Sequence, residues 1–135
     1  MRASEVTVKN PHVAVAGAMA SEVAIMLKNG NISVVPVVDD HRTRRLLGTL
    51  SDRDLVTRCL AEGKHPWHTR ADELMRTKSP VVTADRELTG FQVRMDLDPS
   101  DSHLRPTITV LDDAGQVVGF ISHPEQVAGV EIVWG

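Results

Sequence analysis

Ser51 and Asp54 have the residue types and spacing to hold a sugar phosphate at the start of a helix. A ribose presents two neighbouring hydroxyls, and the two oxygens of a carboxylate such as Asp54 are suited to accept from both. A phosphate needs donors, which the Ser51 hydroxyl and the N–H groups of a helix start can supply. Arg53 lies close enough along the chain to assist with the phosphate.

The same two residues also fit a purely structural role. A Ser followed three residues later by an acidic residue, just before a helical segment, is a capping box that satisfies N–H groups at a helix start. Taken without further context, the residues favour the cap over ligand binding. A cap is nevertheless compatible with a bound ligand, so both interpretations stay open at this point.

The segment that carries Ser51 occurs twice in the chain. Residues 34–40 and 48–54 return as residues 107–113 and 119–125. The offset between the copies is 73 residues before an acidic turn and 71 after it, so the second turn is two residues shorter. Repetition of this kind indicates two copies of one structural unit.

Each copy predicts a β-hairpin. Apolar runs over residues 32–38 and 107–111 predict buried strands, and apolar runs over 46–50 and 117–121 close the two hairpins after Asp-Asp turns. Because both copies carry the same run before an acidic turn, we expect strands 32–38 and 107–111 to be equivalent and buried.

A glycine interrupts the second strand of each hairpin, at Gly48 and Gly119. Glycine weakens a strand interior, so its presence predicts either a bulge or a place where another group approaches the backbone closely. A ligand is one candidate for that group.

Helices are predicted to connect the strands. Apolar residues at helical spacing predict a packed helix over 18–29 that is stopped by Gly30. A helix after Ser51 is predicted to end at Gly63 and to place four apolar residues on one buried face. These four are Leu55, Val56, Cys59 and Leu60.

The remaining segments give weaker patterns. Residues 1–15 predict a short extended stretch, and Thr69 with Asp72 is expected to cap a short helix over 71–75. A helix over 87–95 is also expected, although Gly90 interrupts it. The predicted organisation is therefore a first repeat (1–63), a connection (64–78) and a second, divergent repeat (79–135), which carries an insertion at 96–103.

Composition excludes several classes of function. The net charge of −3 and the 3% aromatic content, with no Tyr, argue against nucleic-acid binding, and no apolar run is long enough to cross a membrane. The basic cluster at residues 42–45 is taken as a solvated turn. Cys59 is the only cysteine, and without a secretory pattern it indicates a cytoplasmic protein.

No arrangement of residues predicts catalysis or a metal site. His65 and His68 lie three apart, but no cysteine pair or carboxylate at ligand spacing accompanies them. The chain has no activated nucleophile signature and no glycine-rich phosphate loop of the Walker or dinucleotide type. We therefore expect a protein that is not an enzyme and requires no cofactor.

Together, these segments resemble a tandem pair of CBS domains, the module named after cystathionine beta-synthase and also called a Bateman module. The resemblance is carried by residues 35–39 and 48–56, and by residues 73–75 and 79–83, which lead into the second copy. It implies a mixed α/β (α+β) chain of two β-α-β-β-α repeats packed as a pseudo-two-fold pair.

The resemblance also implies a ligand. Clefts between CBS repeats hold adenosine-containing molecules such as AMP, ADP, ATP or S-adenosylmethionine. It assigns Ser51 to the phosphate or ribose and Asp54 to the ribose hydroxyls, with backbone and apolar atoms near residues 32–34 holding the adenine. The full candidate set is Ser51, Asp54, Arg53, Ile32, Ser33, Val34, Pro36 and Thr49.

The second copy departs from this pattern. Glu125 replaces the aspartate three residues after Ser122, and Pro124 removes one backbone donor from the expected helix start. We therefore expect one cleft to bind a ligand and the second motif to act as a plain helix cap.

The leading functional hypothesis is a ligand-sensing regulatory module that binds an adenine nucleotide in one cleft. It would form a homodimer and pass its signal to an unidentified effector protein, because the repeats leave no room in this chain for an effector domain. The alternative is a structural interaction module whose clefts are both empty and whose apolar faces serve only for dimerisation.

Overall fold

The computed structural model describes residues 1–9, 12–95 and 107–134. The chain divides into two compact units. The continuous unit is Pro11–Thr77, and the discontinuous unit combines Met1–Asn10 with Lys78–Gly135. The compact units thus divide the chain differently from the sequence repeats, since the first ten residues cluster with the second repeat. The insertion expected at residues 96–103 lies outside the described residues.

Short helices and strands alternate along the described chain. The first part contains α1 (Ala3–Val6), β1 (Ala14–Val15), α2 (Ala20–Gly30), β2 (Val34–Val38), β3 (Leu46–Ser51), α3 (Asp52–Asp54), which continues as a π-helical segment (Leu55–Leu60), and α4 (Ala71–Leu74). The second part contains β4 (Val81–Thr83), β5 (Phe91–Met95), β6 (Ile108–Leu111), β7 (Val117–Ile121), a 3₁₀ turn (Pro124–Gln126) and β8 (Val130–Trp134).

Each unit contains a three-stranded sheet of the same design. The strand orders are β1-β2-β3 and β4-β6-β7, and in each sheet the central strand has a parallel neighbour on one side and a hairpin partner on the other. Both hairpins shift register near the acidic turn, at Val37/Val38 and at Val110/Leu111. The predicted equivalence of β2 and β6 is confirmed, as is the α+β class.

The core of the continuous unit lies between its sheet and its helices. Helix α2 buries Ala20, Val23 and Leu27, which follow the i, i+3, i+7 spacing of one helix face. These side chains pack in one cluster with Val35 and Leu50 of the sheet. The predicted amphipathic helix is thus present, and it fixes the helical layer over strands β2 and β3.

Two details of the helix predictions are wrong. Gly30 does not stop α2; it is the last helical residue, and Asn31 takes the left-handed cap conformation with φ 50°. After Ser51, Val56 and Leu60 are exposed (56% and 58%), because only one stripe of the helix, through Leu55 and Cys59, faces the core.

Gly63 ends this second helix in the predicted manner. Its φ is 72°, and its N–H donates to the carbonyl of Leu60. A left-handed residue at this place is the usual glycine signal for a helix end.

The second copy does not follow the β-α-β-β-α order. Residues 91–95 form strand β5 instead of the predicted helix, since Gly90 turns the chain with φ 77° and donates its N–H to the carbonyl of Gly129. After Ser122 the chain forms only the 3₁₀ turn, with no side-chain cap, and then β8, which pairs in parallel with β5. The predicted capping box of the second copy is therefore wrong.

Two short helices begin differently from the predictions. Residues 3–6 form α1 rather than an extended segment. Helix α4 starts after Arg70, whose N–H donates to Oε2 of Glu73 at 2.6 Å, whereas the Thr69 hydroxyl donates to the carbonyl of His65. The expected Thr69–Asp72 cap is wrong because the helix begins one residue later. The longest described helix, α2, has 11 residues, and none of those described could span a bilayer.

The segments after α1 and α4 close the outer edges of the two hairpins. Arg76 bridges Thr49 on β3, and Val8 bridges Phe120 on β7. The preceding helices have related sequences, Ala-Ser-Glu-Val and Ala-Asp-Glu-Leu. Each sheet therefore gains one residue of a closing strand, which pairs part of an otherwise open edge.

This closure explains the two strand glycines. A Cβ on Gly48 would collide with the carbonyl oxygen of Arg76, and a Cβ on Gly119 would collide with that of Val8. The close approach predicted from sequence is present, but the approaching group is the backbone of the chain itself and not a ligand.

Replacing Gly48 with alanine should destabilise the protein by about 1–3 kcal/mol, because the new methyl group overpacks a backbone contact that cannot move without breaking the bridge. Gly17→Ala is the matched control, since its nearest neighbour, Nη2 of Arg70, lies 3.9 Å away. Urea unfolding measures both variants. An unchanged free energy of unfolding for Gly48→Ala would contradict the tight contact.

Candidate functional site

The candidate residues meet at one end of the β2–β3 hairpin, which we call the Ser51 corner: residues 32–34, 49 and 51–54. The antiparallel register places Val34 opposite Ser51. The carbonyl of Ser33 accepts from the N–H of Asp52 at 2.9 Å, which ties the start of β2 to the start of α3. The structure thus brings together the residues that the sequence proposed, except that Pro36, opposite Thr49, is buried within the sheet.

Exposure differs sharply within the corner. Ser33 and Asp52 are exposed, and four residues are half-buried: Ile32, Val34, Thr49 and Arg53. Ser51 and Asp54 are buried, at 4% and 1% exposure. The accessible surface of the corner is therefore formed by residues 32–34 with Thr49, Asp52 and Arg53. The two residues with the strongest predicted chemistry, Ser51 and Asp54, lie beneath it.

Ser51 and Asp54 form the capping box. Oγ of Ser51 accepts from the N–H of Asp54, and Oδ2 of Asp54 accepts from the N–H of Ser51, both at 3.0 Å. Each side chain thus satisfies the main-chain donor of the other, which is the reciprocal arrangement expected for a serine followed by an acid at N3. The structural role proposed from the sequence is present in full.

The N–H groups of the first turn of α3 are all engaged. That of Asp52 donates to Ser33, that of Arg53 to Oδ1 of Asp52 at 2.7 Å, and that of Asp54 to Ser51. The sequence suggested that these groups could hold a phosphate. In this conformation each of the three already has an acceptor, so a phosphate here would rely on side-chain donors.

Asp54 has a second partner that the sequence did not suggest. Nε of Arg76 donates to Oδ1 of Asp54 at 2.8 Å, and the exposed fractions of the two side chains are 30% and 2%. Arg76 lies 22 residues away along the chain. The only sequence signal for this pair is the position of Arg76, directly after a short helix that leads into the second repeat.

The energetics of this ion pair are those of a buried carboxylate. An exposed ion pair is worth little, but removing one partner of a buried pair leaves an uncompensated charge and costs about 3–5 kcal/mol. Because Asp54 is 1% exposed, its carboxylate depends on Arg76 and on Ser51 for compensation.

The corresponding place in the discontinuous unit is built differently. Ser122 is half-buried and Pro124 is buried, and the 3₁₀ turn that follows has no side-chain cap. Val8 occupies the bridging position that Arg76 has in the continuous unit, and its side chain carries no charge. The ionic closure of the Ser51 corner is thus a feature of the first copy.

His65 and His68 lie together in the connection after the π-helical segment. The rings of His65 and His68 lie 4.5 Å apart, and Nδ1 of His65 accepts from the N–H of Trp67. Within residues 1–9, 12–95 and 107–134, no group of three or more His, Cys, Asp or Glu side chains is placed to bind a metal ion.

The basic turn between β2 and β3 is organised by its two aspartates. Oδ1 of Asp40 accepts from the N–H groups of Arg42 and Thr43, both at 2.7 Å, and Oδ1 of Asp39 accepts from the Thr43 hydroxyl. The Thr43 hydroxyl holds the pKa of Asp39 below its ordinary value, and the Thr43 N–H does the same for the pKa of Asp40. These carboxylates therefore stay ionised and order the turn from within.

Comparison of the sequence with known proteins finds a match to a protein family. The family model for the CBS domain matches residues 3–61. An uncharacterized protein of Methanopyrus kandleri is 25% identical over 104 residues, which cover 76% of this chain and 49% of the relative. The chain thus spans about half the length of that relative.

Solved structures extend the match to the whole fold. A CBS domain-containing protein of unknown function from Bacillus anthracis superimposes with a TM-score of 0.71 at 15% identity, covering 90% of this chain and 86% of the other. The CBS-pair protein CBSX2 from Arabidopsis thaliana gives a TM-score of 0.65 at 17% identity, with 90% and 87% covered. Residues 3–61 thus match the CBS domain family model, and the chain as a whole has the fold of a tandem CBS domain pair.

Proposed function

We propose that this protein is a ligand-sensing regulatory module that binds an adenosine-containing nucleotide at the Ser51 corner. The observation that carries the proposal is the CBS family match over residues 3–61, the part of the chain that contains the corner. The chemistry of the corner is consistent with it. Half-buried Ile32 and Val34 flank exposed Ser33 and offer apolar surface to a base, while Arg53 offers a cation to a phosphate.

A sensor also needs a way to convert occupancy into a signal. A ligand shifts a conformational equilibrium only by the difference in its affinity for the two states. The proposed output is a change in how the CBS pair engages an effector polypeptide. The effector's affinity for the protein and the nucleotide's affinity are then coupled reciprocally.

Nucleotide binding should raise the melting temperature, since a ligand at 100 times its Kd stabilises the native state by about 2.7 kcal/mol. The measurement is a thermal-shift screen with AMP, ADP, ATP, S-adenosylmethionine and NADH, followed by calorimetry for each hit. We expect an adenosine-containing ligand to be among the hits.

A variant pair locates the binding. Ser33→Trp places a large ring on the exposed surface of the corner and should abolish the shift while leaving the melting temperature without ligand nearly unchanged. Ala61→Trp is the matched control, because Ala61 is exposed at the far end of the helical segment that begins at the Ser51 corner. Equal loss of binding in both variants, or a retained shift in Ser33→Trp, would place the nucleotide elsewhere.

A second candidate function, homodimerisation, is favoured by one observation. Val56 and Leu60 occupy one exposed stripe of the π-helical segment, and Trp67 nearby in sequence is 52% exposed. Large apolar side chains gathered on one surface mark interaction sites more often than isolated ones do. A protein that serves only as a dimeric scaffold would use this stripe and leave the Ser51 corner empty.

Val56→Asp combined with Leu60→Asp should convert a dimer into a monomer, because the charges would have to be buried in the interface. Sedimentation equilibrium at micromolar concentration gives the mass. The control is Leu47→Asp, which alters an exposed apolar residue on β3. A parent protein that is already monomeric would contradict homodimerisation, and a dimeric double variant would exclude this stripe as the interface.

A further inference from the structure

We propose that Arg76 is a built-in competitor for the carboxylate of Asp54, so that ligand binding at Asp54 and docking of the Arg76 side chain exclude each other. The inference rests on the proposed nucleotide-binding function and adds its regulation. The described conformation, in which Arg76 is docked on Asp54, is then the closed state of the Ser51 corner.

The first step is the occupancy of the carboxylate. Oδ2 of Asp54 accepts from the N–H of Ser51, and Oδ1 accepts from Nε of Arg76 at 2.8 Å. The Asp54 side chain is only 2% exposed, so solvent does not reach it around these partners. The bond to Ser51 is part of the helix cap and lies within the hairpin. Oδ1 is therefore the atom that a ribose hydroxyl would approach, and the guanidinium occupies that approach.

The second step is the difference in solvent exposure between the Arg76 and Asp54 side chains. The Arg76 side chain is 30% exposed, so the guanidinium covers Asp54 from the solvent side of the ion pair. Moving a partly exposed arginine into water restores its hydration, and the vacated space can admit a ligand hydroxyl. Moving Asp54 instead would break the capping box and the start of α3. Arg76 is thus the residue of the pair whose side chain moves when a ligand binds.

The third step connects the side chain to the main chain. The N–H of Thr49 donates to the carbonyl of Arg76 at 2.9 Å, and the N–H of Arg76 donates to the carbonyl of Thr49 at 2.8 Å. The same residue thus closes the edge of β3 and neutralises Asp54. Displacing its side chain removes an anchor of the segment that connects α4 to Lys78, so ligand occupancy changes the stability of this connection.

The thermodynamic consequence has a definite sign. When only a fraction of the protein has Asp54 open, the apparent Kd equals the intrinsic Kd divided by that fraction. Weakening the Arg76 side-chain contact raises the open fraction and must tighten binding. By reciprocity, bound ligand must weaken the docking of Arg76. The discontinuous unit offers the contrast, since Val8 makes the equivalent main-chain bridge with an uncharged side chain.

Calorimetry with adenosine and with AMP tests whether weakening the Arg76 contact raises or lowers ligand affinity. Arg76→Gln should bind both ligands at least ten-fold more tightly than the parent, because the competition concerns the ribose that both share. Arg70→Gln is the matched control: Arg70 lies at the other end of α4 and pairs with Asp72, its side chain is 53% exposed, and this ion pair does not involve Asp54. It should change either affinity less than two-fold.

Two further measurements keep the test decisive if Arg76→Gln fails to fold. Arg76→Lys retains the charge but loses the planar fork of donors, so it should bind more tightly than the parent by a smaller factor. In the unmodified protein, saturating AMP should accelerate hydrogen exchange at the Arg76 amide, although ligands ordinarily slow exchange.

The outcomes are distinguishable. Weaker AMP binding by Arg76→Gln with unchanged adenosine binding would mean that Arg76 holds the phosphate, and it would overturn the competition, as would unchanged affinity for both ligands. Slower exchange at the Arg76 amide on AMP binding would also overturn it. If the parent, Arg70→Gln and Arg76→Gln all bind no nucleotide, the proposed function itself fails.

Discussion

The pairing of Arg76 with Asp54 and Thr49 is the contact on which the Ser51 corner depends. It joins the segment after α4 to the junction of β3 and α3, where Asp54 lies 22 residues earlier along the chain. The close approach of its carbonyl requires glycine at position 48, and its guanidinium allows a carboxylate to be buried at position 54. Without this cation, the capping box would hold an uncompensated buried charge.

Local sequence patterns were sufficient to predict the elements that interactions between nearby residues determine. The duplicated apolar runs identified β2 and β6 as equivalent central strands, and Ser51 with Asp54 identified a real helix cap. The glycines of the second strands correctly signalled a close approach. What the sequence did not contain was the identity of the approaching group, since a contact between residues far apart along the chain leaves no periodic signal.

The errors in the second copy have the same origin. Residues 87–95 carry a pattern compatible with a helix, but residues 91–95 pair with β8 near the end of the chain. Pairing with a distant strand overrides intrinsic propensity, which is worth less than about 1 kcal/mol per residue. Gly90 and Gly129, both with positive φ, let the two segments turn side by side. Among the described residues, the second copy therefore forms strands β5 and β8 at the two places where helices were predicted.

Arg76 can act as a switch if the free energy of breaking its ion pair with Asp54 is close to the free energy gained when a ribose binds Asp54 instead. Breaking a buried ion pair costs about 3–5 kcal/mol when nothing replaces the lost partner. Hydrogen bonds to a charged group contribute about 1.5–3 kcal/mol each, so the two hydroxyls of a ribose supply a comparable amount. A guanidinium that regains its hydration reduces the cost further. Because these quantities are of the same size, modest changes at Arg76 can decide which state is populated, and such a near balance is what a sensor requires.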